Sequence, residues 1–146
     1  MEENNAFLSL IGTFEGQGVN HENQSFLGSM NVTYRIENVG ISFSFKATGE
    51  NKEVYHEEMA IVGDGPNNSL QLTAISNNTG IILNYVLANS DSHILVFQYG
   101  DLENENEFRE RRIINVHNKS EISYSFWWGL PSGDFQERSS VRMKRR

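Results

Sequence analysis

The 146-residue chain contains no cysteine. Disulfides, thiol nucleophiles and thiolate metal sites are excluded together, and the absence suits a reducing cytoplasm. Positive charge is also short: 12 Lys and Arg stand against 19 Asp and Glu, a formal net charge of −7. General nucleic-acid binding needs a positive face, so that partner class is not expected. The basic ending Arg142-Met143-Lys144-Arg145-Arg146 reads as a solvated tail. No stretch approaches the ~20 apolar residues of a membrane span. The opening MEENNAFLSLIGTF lacks the basic n-region of a secretory signal, and the expected location is cytoplasmic. There is no G-x-S-x-G elbow, no Walker loop and no dinucleotide fingerprint in a strand-turn-helix setting. The four histidines, His21, His56, His93 and His117, are not spaced as a local metal clamp. Three of them fall at turns or strand starts. His56 is expected to face water beside Glu58.

What is present is a single domain, 1–146, with 38% hydrophobic and 11% aromatic residues, enough for a real core. One short helix is expected over 2–11, capped by Asn4 or Asn5, with Phe7, Leu8, Leu10 and Ile11 on one side. After it come strand-length runs divided by turn residues. They fall at 12–19, 26–37, 41–48, 53–62, 69–75, 79–88, 93–99, two arms within 108–128, and 135–143. In the second run Met30, Val32, Tyr34 and Ile36 alternate with Asn31, Thr33 and Arg35. Short turns make neighbouring strands antiparallel. About ten strands with one apolar face each must close or fold double to hide it. The expected fold is all-β, an antiparallel up-and-down barrel plugged at one end by the helix. A two-sheet sandwich is the competing closure.

The clearest alternation lies in 108–128, FRERRIINVHNKSEISYSFWW. Folding it at Asn118-Lys119-Ser120 pairs Val116 with Ile122 and Ile114 with Tyr124. The same register sets Arg112 beside Phe126 and Glu110 beside Trp128, two charges on an aromatic face. A two-residue turn would slip the register and send Arg109 and Arg111 inward instead.

The segment Leu10-Ile11-Gly12-Thr13-Phe14-Glu15-Gly16-Gln17-Gly18 resembles the G-T-W-x-G-x-G opening of calycin-type barrels, in particular nitrobindin-like and DUF1579-like bacterial proteins. Phe14 stands where those families, like lipocalins, usually have Trp. The resemblance implies a ten-stranded lipocalin-like barrel around a cavity. It also implies an arginine from the last strand, Arg138 or Arg142, packed over Phe14. Nitrobindins hold haem through a histidine near the C-terminal end. The run 135–146 has none, so no haem and no other cofactor is expected.

In such a barrel Tyr34, Tyr55 and Tyr124 would offer hydroxyls above walls made by Phe43, Phe45, Phe126 and Trp128. Glu57, Arg112 and Arg138 are the candidate charges, Arg112 as a fork of donors for a carboxylate or polar ligand end. The preferred reading is binding of a small apolar or amphipathic molecule, with no catalytic residue assigned. The alternatives are an isomerase, lyase or cyclase using the same cavity, and an interaction module with a filled interior. A homodimer is compatible with either.

Overall fold

The computed structural model describes residues 6–37 and 39–146. Its ten strands are β1 Gly12–Asn20, β2 Ser25–Ile36, β3 Gly40–Thr48, β4 Val54–Asp64, β5 Leu70–Ser76, β6 Ile82–Ser90, β7 Ile94–Tyr99, β8 Arg109–Asn118, β9 Glu121–Gly129 and β10 Gln136–Arg145. Each pairs antiparallel with the next, and β1 pairs with β10 to close the barrel. Closure removes every free edge, which an open meander of this length would leave exposed.

Alternation on the strands does what the pattern requires. On β3, Ile41, Phe43, Phe45 and Ala47 are buried, and Leu70, Leu72 and Ala74 do the same on β5. Met30, Val32, Leu72, Leu95, Ile114 and Ile122 are fully enclosed, each contributing roughly 1.5–3 kcal/mol by leaving water. The long hairpin has the expected pairing: Val116 opposes Ile122, Ile114 opposes Tyr124, Arg112 opposes Phe126 and Glu110 opposes Trp128. The turn itself is the two residues Lys119 and Ser120, and His117, an extra residue between Val116 and Asn118, makes up the slip.

Two expectations fail at β-bulges. Val32 opposes Phe43 but Tyr34 opposes Ser42, so Thr33 is an extra residue in β2. The slip reverses the faces beyond it, and Tyr34, at 63% exposure, and Ile36 point outward instead of into the barrel. On β4, His56 opposes Ala47 and Val54 opposes Thr48, leaving Tyr55 as the extra residue. From there His56, Glu58, Ala60 and Val62 face inward and Glu57 faces solvent. Glu57 and His56 thus exchange the sides expected of them.

The helix expected over 2–11 is, within the described residues, one 3-10 turn, Phe7–Ser9, with no side-chain cap. The proposed caps Asn4 and Asn5 lie outside the described residues. Leu10 is already extended, with ψ 135°, so the chain enters β1 before a second turn can form. The turn still plugs the barrel: Phe7, Leu8 and Leu10 are buried, and Phe7 meets Phe43 edge-on at 5.8 Å. At the same end the Arg145 guanidinium covers the Phe14 ring at 4.7 Å and binds the carbonyls of Ile11 and Lys119. This is not the expected Arg138 or Arg142. The β1–β10 register sets Phe14 opposite Arg145, while Arg142 pairs on the outer face with Glu121 at 2.6 Å.

Glycine is required where β1 coils past β10. A Cβ on Gly16 would stand 1.9 Å from the Arg142 carbonyl oxygen, a backbone atom that cannot swing aside. Gly16→Ala should therefore lower stability in urea denaturation by more than about 1.5 kcal/mol. Gln17→Ala, on the exposed face beside it, should stay within about 0.5 kcal/mol of the parent. Equal midpoints for the two variants would refute this account of closure.

Candidate functional site

In an up-and-down barrel the odd-numbered connections all lie at one end. Here the β1–β2, β3–β4, β5–β6, β7–β8 and β9–β10 connections surround a cavity of about 470 Å³, opposite the plugged end. Its walls are largely aromatic: Phe26, Phe45, Tyr55, Phe108, Phe126 and Trp128. Its polar lining includes His21, Glu22, His56, Asn78, Glu110 and Arg138. Two of these residues are there because of bulges. Tyr55 is the extra residue of β4. Arg138 is the extra residue of β10, between Glu137 opposite Trp127 and Ser139 opposite Phe126. Bulges at a barrel rim re-aim side chains in this way.

At the mouth, the Arg138 guanidinium lies 4.3 Å over the Trp128 ring and donates to the carbonyls of Trp128 and Asp134 at 3.0 and 2.7 Å. His21, exposed in the β1–β2 turn where the sequence placed it, stands edge-on to the same indole at 5.7 Å.

Beneath the cavity runs a buried polar strut. Arg112 on β8 donates through Nε to Glu110 Oε1 at 2.9 Å. Through Nη1 it reaches across the lumen to Glu58 on β4 and donates to the Tyr124 hydroxyl at 3.1 Å. Tyr124 in turn donates its hydroxyl to Glu58 Oε1 at 2.7 Å, and Tyr85 donates to Glu110 Oε1. The guanidinium carbon sits 4.5 Å from the Tyr85 ring centre and 5.0 Å from that of Phe126. Phe126 thus separates it from the cavity.

Such a cluster survives burial only because its charges are paired and hydrogen-bonded. Burial alone would raise the Glu58 carboxyl. The Arg112 guanidinium, with His56 and Tyr124, overcomes this and holds it at about 2. Burial drives the Tyr124 and Tyr85 hydroxyls well above the usual tyrosine range, against the opposing pull of Arg112. All three shifts lead away from neutral pH, which fixes protonation rather than poising it for transfer.

His56 is fixed as well. Asn78 Nδ2 donates both to the Tyr55 carbonyl, at 3.1 Å, and to His56 Nδ1, at 2.7 Å. The carbonyl can only accept, so the amide orientation is set and His56 Nδ1 must be the unprotonated nitrogen. The proton then lies on Nε2, which faces Glu58 Oε2 at 3.6 Å. A neutral imidazole with both nitrogens turned into the wall presents only its ring, stacked at 4.9 Å against Phe126.

Of the side chains expected around a ligand, the structure brings Phe45, Tyr55, Phe126, Trp128 and Arg138 to the cavity surface. Phe43, Tyr124 and Arg112 are buried below it. Arg112 is therefore a strut and not an open fork of donors. Tyr34 and Glu57 are on the outer face. The reading from sequence missed Phe26, Ala47, Phe108 and Asn78, which line the cavity. The parity of the turns would have placed all four at this end. Among the described residues no group of three or more His, Asp or Glu side chains is arranged to hold a metal ion, and no helix is long and apolar enough to cross a membrane.

The fold recurs in solved structures. Rv2717c from M. tuberculosis matches with a TM-score of 0.70 at 13% identity, over 100% of this chain and 99% of that one. A redesigned β barrel, mFAP0, bound to DFHBI, matches with a TM-score of 0.52 at 11% identity, over 93% and 98% of the two chains. EF1p2_mFAP2b bound to DFHBI gives 0.52 at 9% identity, over 98% of each. No protein-family model and no curated protein matches the chain. The class that fold and site define is a closed ten-stranded antiparallel barrel, plugged at one end and hollow at the other.

The strut carries a pH signature. Glu58 titrates near 2 in the folded chain and at an ordinary carboxylate value once unfolded. Its contribution is full above about pH 4.5 and fades as pH falls toward 2. The stability difference between the parent and Glu58→Gln should be on the order of 3 kcal/mol at pH 7. It should shrink steadily across that acid window in urea titrations. A difference that does not depend on pH would contradict the assignment.

Proposed function

We propose that the protein binds a small apolar or amphipathic molecule in the hollow end of its barrel. One observation carries the reading. A cavity of about 470 Å³ opens between aromatic walls, directly above a strut that completes the packed core. That volume lies within the range of small-molecule sites, which are apolar in lining with a few placed polar groups. Of the lining rings, Phe26, Phe45 and Phe126 are buried in the wall, and Tyr55, Phe108 and Trp128 stay partly uncovered at the opening. Two of the barrels that share the fold are bound to DFHBI, which supports a ligand-binding reading. The Gly-Thr-Phe-Glu-Gly-Gln-Gly opening of β1 and its calycin-type resemblance support a lipocalin-like role. The absence of cysteine supports a cytoplasmic setting.

Haem held from the closing strand does not fit these residues. β10 brings Arg138 and Ser139 to the cavity and no imidazole, and Nδ1 of His56 is hydrogen-bonded to Asn78 while its Nε2 is buried without a hydrogen-bond partner. The filled-interior module is disfavoured by the volume of the cavity. The enzymatic reading gains no support from Glu58, Tyr85 and Tyr124, whose protonation is held away from neutral pH.

A dye that brightens in apolar surroundings, 8-anilinonaphthalene-1-sulfonate or a neutral analogue such as Nile red, tests the reading. At least one should bind the parent with saturable 1:1 stoichiometry. Ala47→Trp, which places an indole in the cavity, should weaken that binding at least tenfold while far-UV circular dichroism is unchanged. Unaltered binding in Ala47→Trp would move the dye elsewhere and remove the support.

A further inference from the structure

The floor of the cavity carries more negative than positive charge. Glu58 and Glu110 share one guanidinium, that of Arg112. Two further guanidiniums lie near the cavity, one at its mouth and one beside it, and the hydrogen bonds they make go to carbonyls. Arg138 is pinned at the mouth by the carbonyls of Trp128 and Asp134. Arg109 is turned under the 130–133 turn, where it donates to the carbonyls of Leu130 and Gly133. His56 is neutral in the arrangement that Asn78 imposes.

Glu110 is where this imbalance meets the cavity. It lines the wall, and both donors that reach it, Arg112 Nε and the Tyr85 hydroxyl, converge on Oε1. Among the described residues no hydrogen bond of the protein reaches Oε2; both contacts fall on Oε1. A carboxylate oxygen has room for two hydrogen bonds, and Oε2, which is not one of the buried unpaired atoms, is open to the cavity to receive them. The rings of Phe126 and Trp128 flank the same space, and aromatic faces attract a cation.

We propose that the molecule this cavity selects is an organic cation, an apolar body ending in a protonated amine or amidine whose N–H groups meet Glu110 Oε2. The inference rests on the cavity-binding reading above and adds the charge of the ligand to it. A carboxylate is the wrong guest. It would meet Glu110 head-on, and the Nε and Nη1 donors of Arg112 that might have received it are held by Glu110, Glu58 and Tyr124 beneath Phe126.

Three probes of nearly one shape decide the matter at pH 7.5: 1-naphthylmethylamine, 1-naphthalenemethanol and 1-naphthoic acid, each titrated calorimetrically into the intact protein. The amine should bind at least tenfold more tightly than the alcohol, and the acid should bind most weakly. Glu110→Gln should weaken the amine at least tenfold and change the alcohol less than threefold. An acid that binds as tightly as the amine, or an amine within threefold of the alcohol, overturns the cation proposal and leaves the cavity reading standing. Failure of all three to bind at millimolar concentration overturns both. If Glu110→Gln does not fold, the ranking of the three probes on the parent protein decides alone.

Discussion

The arrangement depends on the buried guanidinium of Arg112. Arg112 is held between Glu110, two residues away on its own strand, and Glu58, 54 residues away on β4 across the lumen. A guanidinium fits this task because its donors lie in a fixed plane and it does not lose its proton. Taking three ionisable groups out of water is expensive, and well-packed apolar side chains would often serve stability as well. What the cluster adds is a defined partition. Below it, Phe43, Phe14 and the Phe7–Ser9 turn fill the barrel. Above it, the lumen stays open.

That partition connects packing to chemistry. Side chains under the strut are apolar and fully enclosed, as in any small barrel whose interior is filled. Side chains above it are largely aromatic, with Tyr55, Phe108 and Trp128 only partly covered and polar groups at chosen points. Tyr55 and Arg138 reach the rim because each is the extra residue of a bulge. Glu110 reaches the wall because the hairpin register sets it opposite Trp128. The same register puts Arg112 opposite Phe126, and so underneath a ring instead of in the lumen.

Much of this was legible in the sequence. Short turns between alternating runs specify an antiparallel meander, and the need to hide ten apolar faces specifies closure. The hairpin register followed from matching Ile114 and Val116 against Tyr124 and Ile122. Inward charge at 110 and 112 came with it. Bulges were not legible. Thr33 and Tyr55 look like ordinary alternating residues, yet each reverses the faces beyond it, turning Tyr34 and Glu57 out and His56 and Glu58 in. One inserted residue is enough, because the side-chain period of a strand is two. The arginine over Phe14 was misplaced for a related reason: the β1–β10 pairing joins the two ends of the chain, and no local pattern fixes its register. Which end of the barrel is open was available from the parity of the turns. It becomes informative only once the barrel is known to close.

The most direct test of the account is a double-mutant cycle between Glu58 and Arg112, comparing Glu58→Gln, Arg112→Met and the double variant by urea denaturation at pH 7. If the strut holds the lumen as described, the two substitutions are strongly coupled, with an interaction free energy above about 1.5 kcal/mol. Additive effects, within about 0.5 kcal/mol, would mean that the two side chains do not bear on each other, and the partition of the barrel would need another cause.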